Sequence, residues 1–277
     1  MIRQVYIIAI RELRDGLRNR RVLATTLLLS TLSLTLVLLG STPIGSVGVD
    51  PLSITVVSLS SLTIFLVPLI ALLIAHDAIA GEFDRGTMLL LLSYPVHRWQ
   101  IIAGKFIGHV GILGFSTLVG YGIAGLAVSF VDSGSESGAV EAFALMLATS
   151  VLLGAAFIAL GYLVSVLTRD QRTAAGAALG LWLFFVLLYD MILLGALVAD
   201  QGRMITVGAL NVFLLANPAD IYRMLNLTGF SNVGSLSGMA GLSKDVALGS
   251  LTLLGALLAW IVIPLAAAGL AFSRRQV

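Results

Sequence analysis

The chain contains no cysteine, only six prolines and three histidines, and charged residues occupy just 11% of its 277 positions. The missing cysteine excludes disulfides, thiolate metal sites and iron–sulfur clusters. The histidines His76, His97 and His109 are scattered, and the seven methionines form no M-x-M or M-x-x-M pair, so no soft-metal ligand set is expected. Scarce charge is more telling still, because a soluble domain carries roughly a quarter of its residues as Asp, Glu, Lys and Arg. With 58% hydrophobic residues and a mean hydropathy of +1.05, the chain lacks the polar surface that a water-soluble fold needs. A bilayer accepts such a sequence in helical runs of about 20 residues.

Catalytic patterns are also missing. There is no H-E-x-x-H helix and no pair of carboxylates inside an apolar run. A phosphate-binding P-loop needs Lys followed by Ser or Thr after a glycine-rich turn, but Lys105 precedes Phe106 and Lys244 precedes Asp245. The chain is therefore expected to be no enzyme, with no catalytic residue and no cofactor of its own, and no nucleic-acid partner is expected. Any nucleotide-driven energy must come from another polypeptide.

What is present is six apolar runs, at 22–40, 54–75, 102–131, 140–167, 173–199 and 246–272. Each is long enough to span a bilayer. Helix is the form expected, since open strand edges leave backbone groups unpaired in hydrocarbon and no barrel-like alternation occurs. Residues 1–20 repeat Ile2, Val5/Tyr6, Ala9, Leu13 and Leu17 at helical spacing, with Arg3, Arg11, Glu12, Arg14, Asp15 and Arg18 mostly elsewhere on the wheel. They read as an interfacial amphipathic helix, the alternative being a solvated basic leader. The leader lacks the continuous apolar stretch of a cleavable signal, so the N-terminus is expected to be retained. Of the sixteen basic residues only Arg203, Arg223 and Lys244 fall in the outer connections. The positive-inside rule thus sets both termini in the cytoplasm. The fold class expected is an all-α integral membrane protein of six spans, one domain over 1–277.

Three features stand out of the apolar background. In the outer connection 200–245, Asn217-Pro218 reads as a helix start, and Ile221, Tyr222 and Leu225 follow at helical spacing. This predicts a short helix on the outer surface, with Asn217, Pro218, Tyr222 and Arg223 as candidate contacts for an external partner. The Gly-, Ser- and Asn-rich stretch 229–249 reads either as a docking loop or as an ordinary surface loop. Asp190 is the one acid clearly inside a run: either a proton or cation site, or a solvated group near the outer headgroups. Glycines crowd the third run, and the pairs Gly104/Gly108 and Gly176/Gly180 predict close helix packing within the chain.

The third feature is a polar island at 76–106, HDAIAGEFDRGTMLLLLSYPVHRWQIIAGKF. Gly81 to Thr87 break the preceding helix, Met88–Leu92 form a short apolar helix, and Pro95 opens the next segment. The composition is that of a protein-contact surface; the alternative is an amphipathic re-entrant loop without a partner.

The run Glu82-x3-Gly86-Thr87-x3-Leu91-Leu92-x2-Pro95-x2-Arg98-x5-Gly104-Lys105 resembles the cytoplasmic segment of ABC-2-type transporter permeases. The resemblance extends over the whole chain through the six runs and the N-terminal helix. More narrowly, Tyr6 to Arg20 and Leu214 to Arg223 resemble the permeases of nitrous oxide reductase maturation systems. The resemblance implies a homodimer in a bacterial inner membrane, joined by two copies of a cytoplasmic ATP-binding subunit that holds ATP and Mg, and by a periplasmic partner. It implies that 1–20 is a connecting helix and that 78–92 is a coupling helix, with Glu82, Phe83, Asp84, Arg85, Gly86 and Thr87 contacting the ATPase. The implied role is assembly of the copper–sulfur centre of nitrous oxide reductase, as part of denitrification. The readings set against it are an ABC-2 exporter of lipid, drug or polysaccharide, and a stand-alone ion-coupled carrier or channel using Asp190.

Overall fold

The computed structural model describes residues 2–40, 51–131, 137–200, 206–228 and 248–275. Among these residues every regular element is a helix. Helix α1 (Ile2–Leu17) and α2 (Arg20–Gly40) are separated at Arg18 and Asn19, where Asn19 N–H turns back to the Gly16 carbonyl. α3 (Pro51–Ala75) leads through a turn into the short α4 (Ala80–Asp84) and α5 (Thr87–Leu92). α6 (Arg98–Val131), α7 (Ser137–Leu167), α8 (Gln171–Leu183), a π-helical turn (Phe184–Leu188) and α9 (Tyr189–Asp200) follow. The chain closes with α10 (Val207–Leu215), α11 (Pro218–Thr228) and α12 (Ser250–Arg274).

Among the described residues five helical segments are long and apolar enough to cross a membrane: Thr55–Asp84, Arg98–Leu126, Val140–Leu167, Gln171–Asp200 and Ser250–Arg274. The run expected to be the first of six falls on α2, in which Val22–Leu36 is a shorter apolar stretch. The spans pack on one core in which Val67, Ile70 and Ala71 of α3 meet Leu113 of α6 and Leu153, Phe157 and Ile158 of α7. Small residues set the spacing. A Cβ at Gly161 would stand 2.6 Å from the Ala75 Cβ, and one at Gly154 would collide with Leu113.

α1 does not merely lie beside the bundle. A Cβ on Gly104 would meet Ile8 at 2.7 Å and the Val5 carbonyl at 2.9 Å, and one on Gly108 would meet Glu12 at 2.6 Å and the Ala9 carbonyl at 3.0 Å. Gly16 meets Ile112 in the same way. Positions 8, 12 and 16 therefore step along 104, 108 and 112, so α1 runs in the same direction as α6 in a groove that glycine opens. The Gly104/Gly108 pair thus packs within the chain as expected, whereas Gly176 and Gly180 face open space.

Three features between 184 and 228 differ from the sequence reading. The short helix at 218 exists, but Ile221 and Tyr222 are fully buried and α11 packs on α12, α7 and α3 rather than lying on the outer surface. Its polar residues find partners inside: Asn226 with Thr149, and Tyr222 with Ser150. The π-helical turn and the apolar α10 were not anticipated. The stretch 229–247, most of the proposed docking loop, lies outside the described residues.

Candidate functional site

The polar island is held at the base of the bundle from several sides. The hydroxyl of Ser165 on α7 accepts the backbone N–H groups of Ile79 and Ala80, at 3.1 and 3.0 Å, and so fixes the turn before α4. Gly86, at φ 70°, separates α4 from α5; this left-handed conformation, not lack of space, calls for glycine. Thr87 closes the corner by donating its hydroxyl to the Glu82 carbonyl at 3.3 Å. Gln4 of α1 donates to the Pro95 carbonyl at 3.0 Å and ties the far end of the island to the N-terminal helix.

At the centre stands Lys105, whose side chain is 5% exposed. Its ammonium lies 2.6 Å from Glu12 Oε1 on α1 and 2.7 Å from Glu82 Oε1 on α4. One cation on α6 thus joins the N-terminal helix to the island. His109, one turn further along α6, has Nε2 3.6 Å from Glu12 Oε2 and Nδ1 3.0 Å from the Tyr162 hydroxyl of α7. If Tyr162 donates to Nδ1, the ring presents Nε2–H to Glu12, which makes the whole chain of contacts mutually consistent. Burial opposes ionisation of Glu12, but the bond with His109 and the charge of Lys105 outweigh it and hold the carboxyl at about 2. The second oxygen of Glu82 is buried without a hydrogen-bond partner.

Around this joint the C-terminal helix is clamped to the island. Arg98, at the start of α6, donates to the Phe272 and Arg275 carbonyls at 2.7 and 2.6 Å, satisfying carbonyls that the end of α12 leaves open. Arg275 donates to the Val166 carbonyl at the end of α7 and stacks 4.3 Å over the Phe83 ring, which meets Phe272 edge-on at 6.4 Å. Asp84 accepts the Gln171 N–H at 2.7 Å, at the first turn of α8.

Of the six island residues singled out from the sequence, the structure turns Glu82 and Phe83 inward and spends Asp84 on α8, while Arg85, Gly86 and Thr87 stand exposed. The outermost apolar surface belongs to α5 and the turn after it, where Leu89, Leu90 and Tyr94 are 60%, 68% and 66% exposed. Sequence reasoning gave no role to Lys105, His109, Tyr162, Arg98 or Arg275. One signal was available: on the helical wheel Glu12 falls at the edge of the apolar stripe of α1, next to Val5 and Ala9, where an acid that becomes buried demands a partner.

Away from the island, towards the other end of the bundle, Asp190 and the residues near 217 come together. Arg223 Nη2 donates to Asp190 Oδ2 and Nη1 to Asp220 Oδ1, both at 2.8 Å. Asn217 Nδ2 donates to Asp220 Oδ2 and to the Phe185 carbonyl, both at 3.0 Å. Asn217, Pro218 and Tyr222 are buried in the bundle and Arg223 is partly exposed. Among the described residues no group of three or more His, Asp or Glu side chains is placed to hold a metal ion.

Residues 6–277 match the family described as ABC-2 family transporter protein. The chain is 44% identical over 273 residues to a probable ABC transporter permease protein NosY of Stutzerimonas stutzeri, covering 98% of this chain and 99% of that one. It is likewise 44% identical over 274 residues to the probable ABC transporter permease protein NosY of Pseudomonas aeruginosa, covering 99% of each.

Proposed function

The chain belongs to the ABC-2 family of transporter permeases, and from that premise we propose that it couples ATP hydrolysis in a separate cytoplasmic subunit to transport or mechanical transmission across a bacterial inner membrane. The working unit is a homodimer of six-span chains with two copies of a NosF-like ATPase, which carries ATP and Mg, and a NosD-like periplasmic partner. Its service is assembly of the copper–sulfur centre of nitrous oxide reductase, which rests on the 44% identity to the two NosY permeases.

The observation that carries the coupling reading is the Lys105 joint below an exposed helix tip. Arg85, Thr87, Leu89, Leu90 and Tyr94 form a surface with an apolar centre and a polar rim, the anatomy of a protein interface. ATP binding moves the partner subunits, the partner moves this tip, and α4 passes the displacement through Glu82 to Lys105 and Glu12. α1 and α6 then shift as a unit, because packed helices switch between discrete arrangements rather than bending smoothly. On this geometry Leu89 and Leu90 enter the ATPase groove, while Glu82 transmits force from behind.

The test is co-purification. Leu89→Glu together with Leu90→Glu is expected to release the ATPase subunit while the permease keeps its thermal melting point. Retention of the ATPase by that double variant at wild-type yield would remove the tip from the coupling interface.

A further inference from the structure

Far from the joint, at the outer end of the bundle, two carboxylates on different elements share one guanidinium. Asp190 on α9 and Asp220 on α11 each accept from Arg223 at 2.8 Å. With both acids ionised the group carries one uncompensated negative charge, although the Asp220 side chain is only 3% exposed and that of Asp190 27%. The elements packed on α11 do not relieve it. Among the described residues α3 and α10 carry no ionisable side chain, and the charged residue of α12 is Arg274 at its opposite end. α7 brings Glu141 near its exposed outer start and Tyr162 at the base, and the Tyr222 hydroxyl is bonded to Ser150. Tyr189 donates its hydroxyl to the Phe213 carbonyl, and Asp200 ends α9.

We propose that Asp190 and Asp220 form a proton-binding site that takes one proton from the outer medium, and that its occupancy sets how firmly Arg223 clasps the α10–α11 hairpin to the span Gln171–Asp200. The two carboxylates accept from the two terminal nitrogens of one guanidinium, and like charges gathered on a single cation do not both ionise readily. The proton converts Asp220 to a neutral acid that donates to Asp190, while Arg223 keeps its ion pair with Asp190; the cluster goes from one negative charge to none. Burial is the main force that raises the Asp220 carboxyl to about 7; repulsion from Asp190 adds to it, against the pull of Arg223 and Asn217.

The place where the clasp acts is specific. In the π-helical turn the Tyr189 N–H bonds the Phe184 carbonyl, so the Phe185 carbonyl loses its usual helical donor, and Asn217 Nδ2 takes it instead. The same Nδ2 donates to Asp220. Asp220 thus holds the amide that fills the gap in the span, and a change in its charge reaches the turn through one side chain.

The sign is fixed by the raised value. Stability from this site is full below the ordinary carboxylate range and is lost as pH rises through about 7. Full-length protein in lipid nanodiscs is followed by infrared spectroscopy and thermal unfolding between about pH 6 and about pH 8. The wild type is expected to show one neutral carboxyl that titrates in this window, together with a melting point that falls across it. Asp220→Asn is expected to abolish the titrating band, Asp190→Asn to move it to lower pH, since the repulsion goes while the burial of Asp220 stays, and Glu141→Gln to leave it unchanged. A wild-type spectrum without a titrating carboxyl, or a band that persists in Asp220→Asn, overturns the proposal. Because the Asn variants keep size and hydrogen bonding, loss of folding is read separately from the melting curve at about pH 6, where they should match the wild type.

Discussion

Lys105 matters because it is one cation between two acids. Removing it leaves Glu12 and Glu82 facing one another across a buried space, whereas removing one acid leaves the other pair intact. Breaking a buried pair by deleting one partner costs about 3–5 kcal/mol. Lys105→Met is therefore expected to lower the melting point strongly and to uncouple ATP hydrolysis from transport, and Glu82→Gln to do less. The triple variant Glu12→Gln, Glu82→Gln, Lys105→Met should recover most of the stability but not the coupling, a split that thermal unfolding and ATPase assays on the complex would resolve. Recovery of neither, or full coupling in Lys105→Met, would dissociate the joint from transmission. Glu12 is held at about 2, so its contribution is present above the ordinary carboxylate range and is lost only as pH falls toward that value. The contribution of the Glu12 carboxylate is thus constant near neutrality, in contrast to that of Asp220.

At the scale of elements, the groove on α6 decides where the joint can form. Gly108 brings α1 so close that any side chain there would press on Glu12 and the Ala9 carbonyl. Gly108→Leu is expected to push α1 off, separate Glu12 from Lys105 and lower the melting point by more than Gly122→Ala, where nothing lies within 4 Å of the added carbon. Equal melting points for the two variants would show that α1 docks without the groove. Much at this scale was legible in the sequence. The long runs read as helices because length and hydropathy suffice; the break expected over Gly81 to Thr87 narrows to Arg85 and Gly86, since Ala80–Asp84 is helical. The burial of α11 was not legible, because Asn217, Asp220 and Asn226 look solvent-bound until one sees that Phe185, Arg223 and Thr149 supply their partners. The π-helical turn left no local mark either: Phe184–Leu188 is uniformly apolar, and its register follows from a bond made by a residue 32 positions away. In the island, which acid faces inward depends on Lys105, 23 positions further on and in a different helix.

For the whole molecule the open question is parity, because five described segments meet the length and hydropathy of a span and α2 carries a shorter apolar stretch, Val22–Leu36. If α2 also crosses, Asn19 and Ser273 lie on the same face; if it does not, they lie on opposite faces. α2 is 21 residues long, which at 1.5 Å per residue reaches about 30 Å, the thickness of the hydrocarbon core. The charge pattern agrees with crossing, since Arg11, Arg14 and Arg18 cluster just before α2 and Arg20 and Arg21 open it. The chain contains no cysteine, so each introduced thiol is a unique probe. Asn19→Cys, Ser93→Cys and Ser273→Cys are expected to react with a membrane-impermeant maleimide only after the cytoplasmic face is opened, and Thr206→Cys to react from outside in intact cells. Labelling of Asn19→Cys from outside, with Ser273→Cys protected, would leave five spans and put α1 on the wrong side of the membrane to meet Lys105. That arrangement is incompatible with ion contacts of 2.6 and 2.7 Å joining Glu12, Lys105 and Glu82 at one end of the bundle. The labelling pattern and the stability of the Lys105 variants must therefore agree, and each checks the other.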